Sequence, residues 1–432
     1  MSEVVHVREG PSSAASRVLP RNLLYSISAR IGGSGLDLDS FEALKGAWRA
    51  DILARAIAYD NRQRVIPEFL IRSLRWHPVR LLSFMKGSHY YGAKKQYLDW
   101  VCARELARGD FDLVHSWSGD CVRTFREARR RGIPTVLEIP TWHRNKGKQK
   151  PPKTKSERER DSLPLPKRWF EQLPPTRQQI LEEYELADLI LVLSERAAET
   201  FLAAGFDRER LYSLPRGTDV LRFTPGVLPE KFRAIFVGAL KKRKGVDLLL
   251  ETWRGLDLKD AELILVGAVH KEIEEHLKRY GGPDVRVIGH VSKPEEYYRQ
   301  SSVHIFPSTC EGSAKVTYDA AACGLAQITT REAGDVVVDG LNGLVVPCGN
   351  QEALAEAIKT LYQDRALLAR MGKAARERIV RNFTWEHYQE RLLGAYEYAL
   401  RRKPAPKRNG GRPSHGHHEA GHEHAGKAAR RK

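Results

Sequence analysis

The sequence has few cysteines, and their spacing serves no obvious chemistry. Five among 432 residues (Cys102, Cys121, Cys310, Cys323 and Cys348) are odd in number and widely spaced, with neither zinc-ligand nor redox spacing. This excludes a disulfide framework and leaves reduced core thiols. Long apolar runs are also missing: no stretch of roughly 18 residues reads as a bilayer-spanning helix. The opening residues Met1 to His6 lack the charged-then-apolar pattern of a secretory signal. These absences together give a cytoplasmic expectation. Hydrophobic residues at 41% and charged residues at 29% are ordinary for a globular chain of two or three domains.

Basic charge is plentiful but local. The formal net charge is +18. Residues 144–168 hold ten Lys/Arg against three acids, and residues 401–432 hold ten against Glu419 and Glu423. These two segments carry fifteen of the eighteen charges, so the rest of the chain is nearly neutral. The basicity therefore belongs to a loop and a tail, not to a folded nucleic-acid-binding face. The loop has two open readings: a contact to an anionic membrane or acidic lipid-linked acceptor, or a solvated excursion. The tail adds His415, His417, His418, His422 and His424 and has too little apolar content to fold.

Apolar runs and helical periods alternate along the chain. Leu23–Ile31 reads as a strand running into Gly32-Gly33-Ser34-Gly35, and Leu36–Trp48 as a helix. Further strands are expected at 111–115, 134–139 and 188–193, with helices at 122–131, 177–186 and 195–204. A turn-rich stretch around Pro215-Arg216-Gly217-Thr218-Asp219 precedes a second alternating series from Phe232 to Thr329, closed by helices at 351–363, 365–382 and 385–401. Alternation of this kind means parallel sheets covered on both faces. The organisation expected is a loose leader (1–22), a Rossmann-like half (23–222) with a basic excursion (144–175), a second Rossmann-like half (230–384), a helix (385–401) and a disordered tail (402–432).

In doubly wound folds, ligands sit at the carboxyl ends of the strands. The strongest chemical signal lies at such a place, in Phe306-Pro307-Ser308-Thr309-Cys310-Glu311-Gly312-Ser313-Ala314-Lys315. A strand ends, a loop brings one carboxylate, and a helix begins. The free N–H groups of a helix start form a phosphate site, and Gly312 lets the backbone approach closely. Glu311 then falls near a donor sugar and Asp319, in the second helical turn, near a ribose. A Lys315–Asp319 pair one turn apart is the plainer reading of the second acid.

This stretch resembles the signature of the retaining glycosyltransferases of family 4, which have the two-domain GT-B fold. Asp319 stands where that family has a second Glu, and Ser313-Ala314 where it has Phe-Gly. The run from Phe236 to Asp247 resembles the loop whose Arg and Lys neutralise the donor diphosphate. Lys244 matches the Lys, Ala239 replaces the Arg, and Arg243 is the candidate substitute. Arg216-Gly217-Thr218-Asp219 resembles the family's Asn-Gly-Val-Asp, and Phe383-Thr384-Trp385 its crossover helix.

The resemblance implies an α/β GT-B fold: two Rossmann-like doubly wound domains facing across a cleft, with a C-terminal crossover helix. It implies hexosyl transfer with retention, from a nucleotide-sugar to a glycan or lipid-linked acceptor, without metal or other cofactor. The candidate catalytic residues are Glu311 and His143, the latter following the strand at 134–139. Donor diphosphate contacts are assigned to Arg243, Lys244, Gly312, Ser313 and Ala314. Gly32 and Gly33 are either a plain turn or a further phosphate contact. Ribose falls to Asp319, and the base to backbone around Gly289, His290 and Val291. Two rival readings stay open: an epimerase or phosphorylase of the same fold, and an inactive nucleotide-sugar-binding scaffold.

Overall fold

The computed structural model describes residues 17–402 apart from 34, 86, 147, 149–157, 160–161, 165–166 and 168–173. Most of the basic excursion, the leader before Arg17 and the tail beyond Arg402 therefore lie outside the described residues.

The first half is one parallel sheet in the order β3-β2-β1-β4-β5-β6-β7. Its strands are β1 (Leu23–Ile31), β2 (Leu53–Asn61), β3 (Ile71–Ser73), β4 (Leu113–Trp117), β5 (Thr135–Ile139), β6 (Leu189–Val192) and β7 (Leu211–Ser213). The helices between them are α1 (Leu36–Arg49), α2 (Gly87–Arg108), α3 (Val122–Arg131), α4 (Arg177–Leu186) and α5 (Glu195–Leu202). Central strands such as LVHSW and LILV are buried throughout, as a sheet covered on both faces requires.

The second half repeats the plan in the order β10-β9-β8-β11-β12-β13. Its strands are β8 (Phe232–Val237), β9 (Ala261–Val266), β10 (Val285–Gly289), β11 (Val303–Phe306), β12 (Ala326–Thr330) and β13 (Gly343–Val346). Helices α6 (Val246–Leu256), α7 (Lys271–Tyr280), α8 (Glu295–Tyr298), α9 (Lys315–Ala322), α10 (Gln351–Gln363) and α11 (Arg365–Asn382) cover it. In both sheets the strand order reverses beside the first strand, at β1/β4 and at β8/β11, which opens a crevice at the carboxyl edge.

Helix α2 gives little warning in the apolar pattern, because its buried face includes His89, Gly92 and Asp99. Asp99 works as a cap for its neighbour: its two carboxylate oxygens accept the N–H groups of Arg123 and Thr124 at the start of α3, each at 2.8 Å.

The last helix, α12 (Trp385–Arg401), returns to the first half. Thr384 caps it with a reciprocal box involving His387. Tyr388, Leu392, Ala395 and Tyr396 join Leu23, Tyr25, Ala43 and Leu44 in one core. Gly46 on α1 allows the contact, since a Cβ there would lie 2.9 Å from Gln389 Cγ. Beneath the helix, Tyr396 Oη hydrogen-bonds His115 Nδ1 at 2.8 Å, and His115 Nε2 lies 3.2 Å from Glu138. Because Leu392 is fully enclosed, Leu392→Ala is expected to cost about 2–5 kcal/mol in urea unfolding. A loss below about 1 kcal/mol would mean that α12 is not packed as described.

Candidate functional site

The two switch-point crevices face one another across a cavity of about 230 Å³. The first half contributes Gly35 and Leu36 at the opening of α1 and Pro140 after β5. The connecting segment contributes Arg216. The second half contributes Val237 at the end of β8 and Gly238 after it, Lys244, Phe306 at the end of β11, and the run from Glu311 to Val316 into α9.

Lys244 is held by the backbone as well as by its partners. It ends a short 3-10 turn, and Gly245 follows at φ 74°, where a Cβ would meet the Pro307 carbonyl oxygen at 2.1 Å. Glycine alone lets this loop rest on the end of β11. Lys244 Nζ donates to Glu311 Oε1 at 2.5 Å, and the Ser308 hydroxyl donates to the same oxygen at 3.1 Å. Burial, aided by the positive charges of Arg243 and Lys241, lowers the Lys244 ammonium below its ordinary value despite the Glu311 carboxylate.

The Glu311 loop is also where the halves touch. A Cβ on Gly312 would lie 2.4 Å from the Pro140 carbonyl oxygen. Ser194, the N-cap of α5, accepts the Ala197 N–H at 3.2 Å and donates its hydroxyl to the Gly312 carbonyl at 2.6 Å. One residue on, the Glu195 N–H donates to Asp335 at 2.6 Å. Helix α9 then opens at Ala314 without a side-chain cap. Within the first turn the Thr317 N–H already donates to the Ala314 carbonyl at 3.0 Å, so the N–H groups of Lys315 and Val316 are the ones at the open helix start. The Ala314 N–H itself is taken by the Ala333 carbonyl at 2.8 Å.

Arg216 is a second cation on the wall. It is buried, it forms an ion pair with Asp39 of α1, and its Nε has no hydrogen-bond partner among the described residues. The expected substitute for the missing basic residue at Ala239 behaves differently. Arg243 is about half exposed, lies off the cavity, and donates to Glu311 Oε1 at 3.2 Å and to the Cys310 carbonyl.

Of the residues marked in the sequence, the structure brings Glu311, Lys244, Gly312, Ser313 and Ala314 to one wall. Others lie elsewhere. The loop after β1 reaches the cavity through Gly35 rather than Gly32 or Gly33, which pack on Gln63 and Asp37. Asp319 is buried in the plainer arrangement: Lys315 donates to its two oxygens at 2.7 and 2.9 Å, and Thr218 donates to Oδ1 at 2.7 Å. Gly289 ends β10 and His290 and Val291 follow it at the sheet edge, off the cavity wall.

His143 is the clearest departure. Its ring sits among Tyr184, Phe201 and Phe206, with centroids 5.3, 5.0 and 5.8 Å away, and it does not line the cavity. Its Nδ1 accepts the Asn145 N–H at 3.3 Å. The apolar cage, which no reading of the strand end alone discloses, lowers its pKa from 6.5 to about 4. Arg216 was the signal within reach: a charge standing where the resembling motif has a neutral Asn. Among the described residues no group of three His, Cys, Asp or Glu side chains is placed to hold a metal ion. No helix among them is long and apolar enough to cross a membrane.

Residues 218–378, the half that carries Lys244 and Glu311, match the family described as Glycosyl transferases group 1. This part of the chain is a group 1 glycosyltransferase domain. The chain is 31% identical over 183 residues to the capsular polysaccharide biosynthesis glycosyltransferase CapM of Staphylococcus aureus, covering 40% of this chain and 48% of that protein. It is 29% identical over 257 residues to a D-inositol 3-phosphate glycosyltransferase of Pseudarthrobacter chlorophenolicus, covering 53% of this chain and 61% of that one. The chain thus spans roughly half the length of the curated relatives it matches.

The likeness in three dimensions is wider. Sucrose-phosphate synthase of Thermosynechococcus elongatus superposes at a TM-score of 0.63 and 18% identity, covering 87% of this chain and 98% of that one. Anabaena HepE in complex with UDP-glucose does so at 0.59 and 15%, covering 86% and 98%. At these identities the likeness is one of fold, and the group 1 domain is the second half of a GT-B architecture.

The neutral His143 ring contributes stability above about pH 6.5, and that contribution is lost as pH falls towards about 4. His143→Phe should therefore flatten the acid limb of the stability–pH curve and leave sugar transfer within about threefold of the parent. Loss of transfer by about a hundredfold in a folded variant would return His143 to the chemistry.

Proposed function

We propose that the chain is a retaining glycosyltransferase that moves a hexosyl group from a nucleoside diphosphate sugar to a glycan or lipid-linked acceptor. One observation carries this reading: Lys244, Glu311 and the uncapped start of α9 share one cavity between two switch points. The matched family and the UDP-glucose complex of a structural relative support it.

In this reading the diphosphate lies between Lys244, Arg216 and the amides following Glu311. As the bond from the anomeric carbon to the diphosphate breaks, negative charge grows on the leaving oxygen. The cations and oriented N–H groups stabilise that charge without a metal ion. The acceptor hydroxyl forms the new bond on the face the diphosphate leaves and gives its proton to the departing phosphate oxygen. Glu311 orients the sugar, and its Oε1 releases Lys244 to the phosphate. Arg216 takes the part that Ala239 cannot. Asp319 meets the ribose when Lys315 turns from it. The base lies along the strand-end glycines of β8 to β10, where Gly267 is so close to the Gly238 carbonyl that a Cβ would be 1.9 Å from its oxygen.

The second reading, an inactive nucleotide-sugar-binding scaffold, draws on two observations: Ala239 carries no charge, and Asp319 is engaged by Lys315 and Thr218. Calorimetry and turnover together separate the two. Lys244→Ala should weaken nucleoside diphosphate binding about ten- to a hundredfold, the loss of a charge-assisted hydrogen bond. Arg216→Ala should do so by about tenfold, and Ala239→Arg in that background should recover part of it. Glu311→Gln should keep the affinity and lower turnover by at least about a hundredfold. Unchanged turnover in both Lys244→Ala and Glu311→Gln would remove the proposed site, and tight binding with no turnover in the parent would favour the scaffold.

A further inference from the structure

The segment after β3 and the start of α2 expose large apolar side chains. Trp76, Leu81 and Phe84 are 82, 81 and 83% exposed, and Leu82 and Tyr91 nearby in the chain are exposed as well. Isolated exposed apolar residues are common, but this density within nine positions is not. Residues 78–82 form a single 3-10 turn with no buried member, resting against α2.

Basic groups outnumber acids along this segment. Residues 62–91 contain six Lys/Arg and a single acid, Glu68; Arg62 pairs with Asp60 and Arg72 with Glu105, whereas Arg75 and Arg80 have no acidic partner among the described residues. Outside the two basic segments the chain is nearly neutral, so this surface stands apart from the rest of the fold. The Arg80 guanidinium lies 4.7 Å from the Trp76 ring centroid, which holds a cation beside an aromatic ring at the surface. Trp and Tyr with neighbouring Arg and Lys is the composition that settles at the interface of an anionic membrane: apolar groups enter the acyl boundary and the basic groups meet the headgroups. The unpaired Arg75 and Arg80 beside the apolar side chains favour an anionic headgroup layer as the occupant.

Position gives the surface a use. All pairings in the first sheet are parallel, so every strand's carboxyl end lies on the same edge. The loop 74–85 leaves the carboxyl end of β3, Gly35 follows that of β1, and Pro140 follows that of β5. The exposed apolar turn therefore lies on the sheet edge that forms one wall of the cavity.

We propose that residues 75–91, centred on Trp76, Leu81 and Phe84, dock this chain on an anionic lipid surface with the cleft edge turned towards the bilayer. This surface is distinct from the basic segment 144–168. It rests on the transferase reading only for its purpose, delivery of the cleft to a membrane-borne acceptor; docking itself needs no turnover.

The test is co-sedimentation of the full chain with phosphatidylglycerol–phosphatidylcholine vesicles and with phosphatidylcholine vesicles alone, across a salt series, without donor or acceptor. Binding is expected on the anionic vesicles only, weakening with salt. The variant Trp76→Ser/Leu81→Ser/Phe84→Ser should lose at least about tenfold in affinity. Arg75→Glu/Arg80→Glu should lose at least about fivefold per residue. Thermal melts of both variants should match the parent, since the altered side chains are exposed. Parent-like vesicle affinity in the serine variant would overturn the proposal and shift the contact to the basic segment or tail. Absence of binding by the parent would overturn it as well. A parent dimer in light scattering that the serine variant disperses, without vesicle binding, would assign the surface to a second copy of the chain. Failure of sugar transfer with intact vesicle binding would count against the transferase reading alone.

Discussion

Each cation on the cavity wall is matched by a carboxylate. Lys244 is held by Glu311, Arg216 by Asp39, and Lys315 by Asp319. Unpaired charge in a partly buried site is expensive, so the matching lets three cations converge on a small cavity before any ligand arrives. In the proposed function the same matching prepares the site for an anion: a diphosphate would offer each cation a new partner, and exchange is easier than charging an empty pocket. The three pairs differ in what they join. Lys244–Glu311 links two loops of the second half, Lys315–Asp319 is internal to α9, and Arg216–Asp39 crosses from the connecting segment to α1 in the first half.

The crossing pair is one of several contacts that make the cavity a property of both halves. Ser194 caps α5 and holds the Gly312 carbonyl, and the next backbone N–H holds Asp335. The connecting segment and the entry to α12 run side by side: the Thr218 N–H donates to the Phe383 carbonyl at 2.9 Å, and Gly217 has no room for a Cβ against Trp385. Movement between the halves would therefore alter the Glu311 loop, the Arg216 pair and the α12 junction together. In the proposed transfer, closure coupled to the site in this way would exclude water from the donor.

Much of this was legible from the residue pattern, for physical reasons. Unbroken apolar strands and alternating helices fixed two layered units, since parallel strands buried on both faces leave that signature. The Lys244 loop and the Glu311–Gly312 run were readable because each joins a strand end to a helix start. Helix α2 was not, because polar residues with neighbouring partners, such as Asp99 capping α3, fill part of its buried face. His143 misled because its place after β5 is local information, whereas its cage of Tyr184, Phe201 and Phe206 comes from α4, α5 and the loop beyond. Arg216 and Gly35 reach the cavity through tertiary contacts that no spacing records.

The central claim is that a diphosphate takes Lys244 from Glu311 at the mouth of α9. A crystal structure of the chain with a bound nucleoside diphosphate tests it most directly. The account requires a phosphate oxygen within hydrogen-bond distance of Lys244 Nζ and of a backbone N–H in the Gly312–Val316 run, with Glu311 released towards the sugar position. A diphosphate bound elsewhere, with the Lys244–Glu311 pair undisturbed, would contradict it.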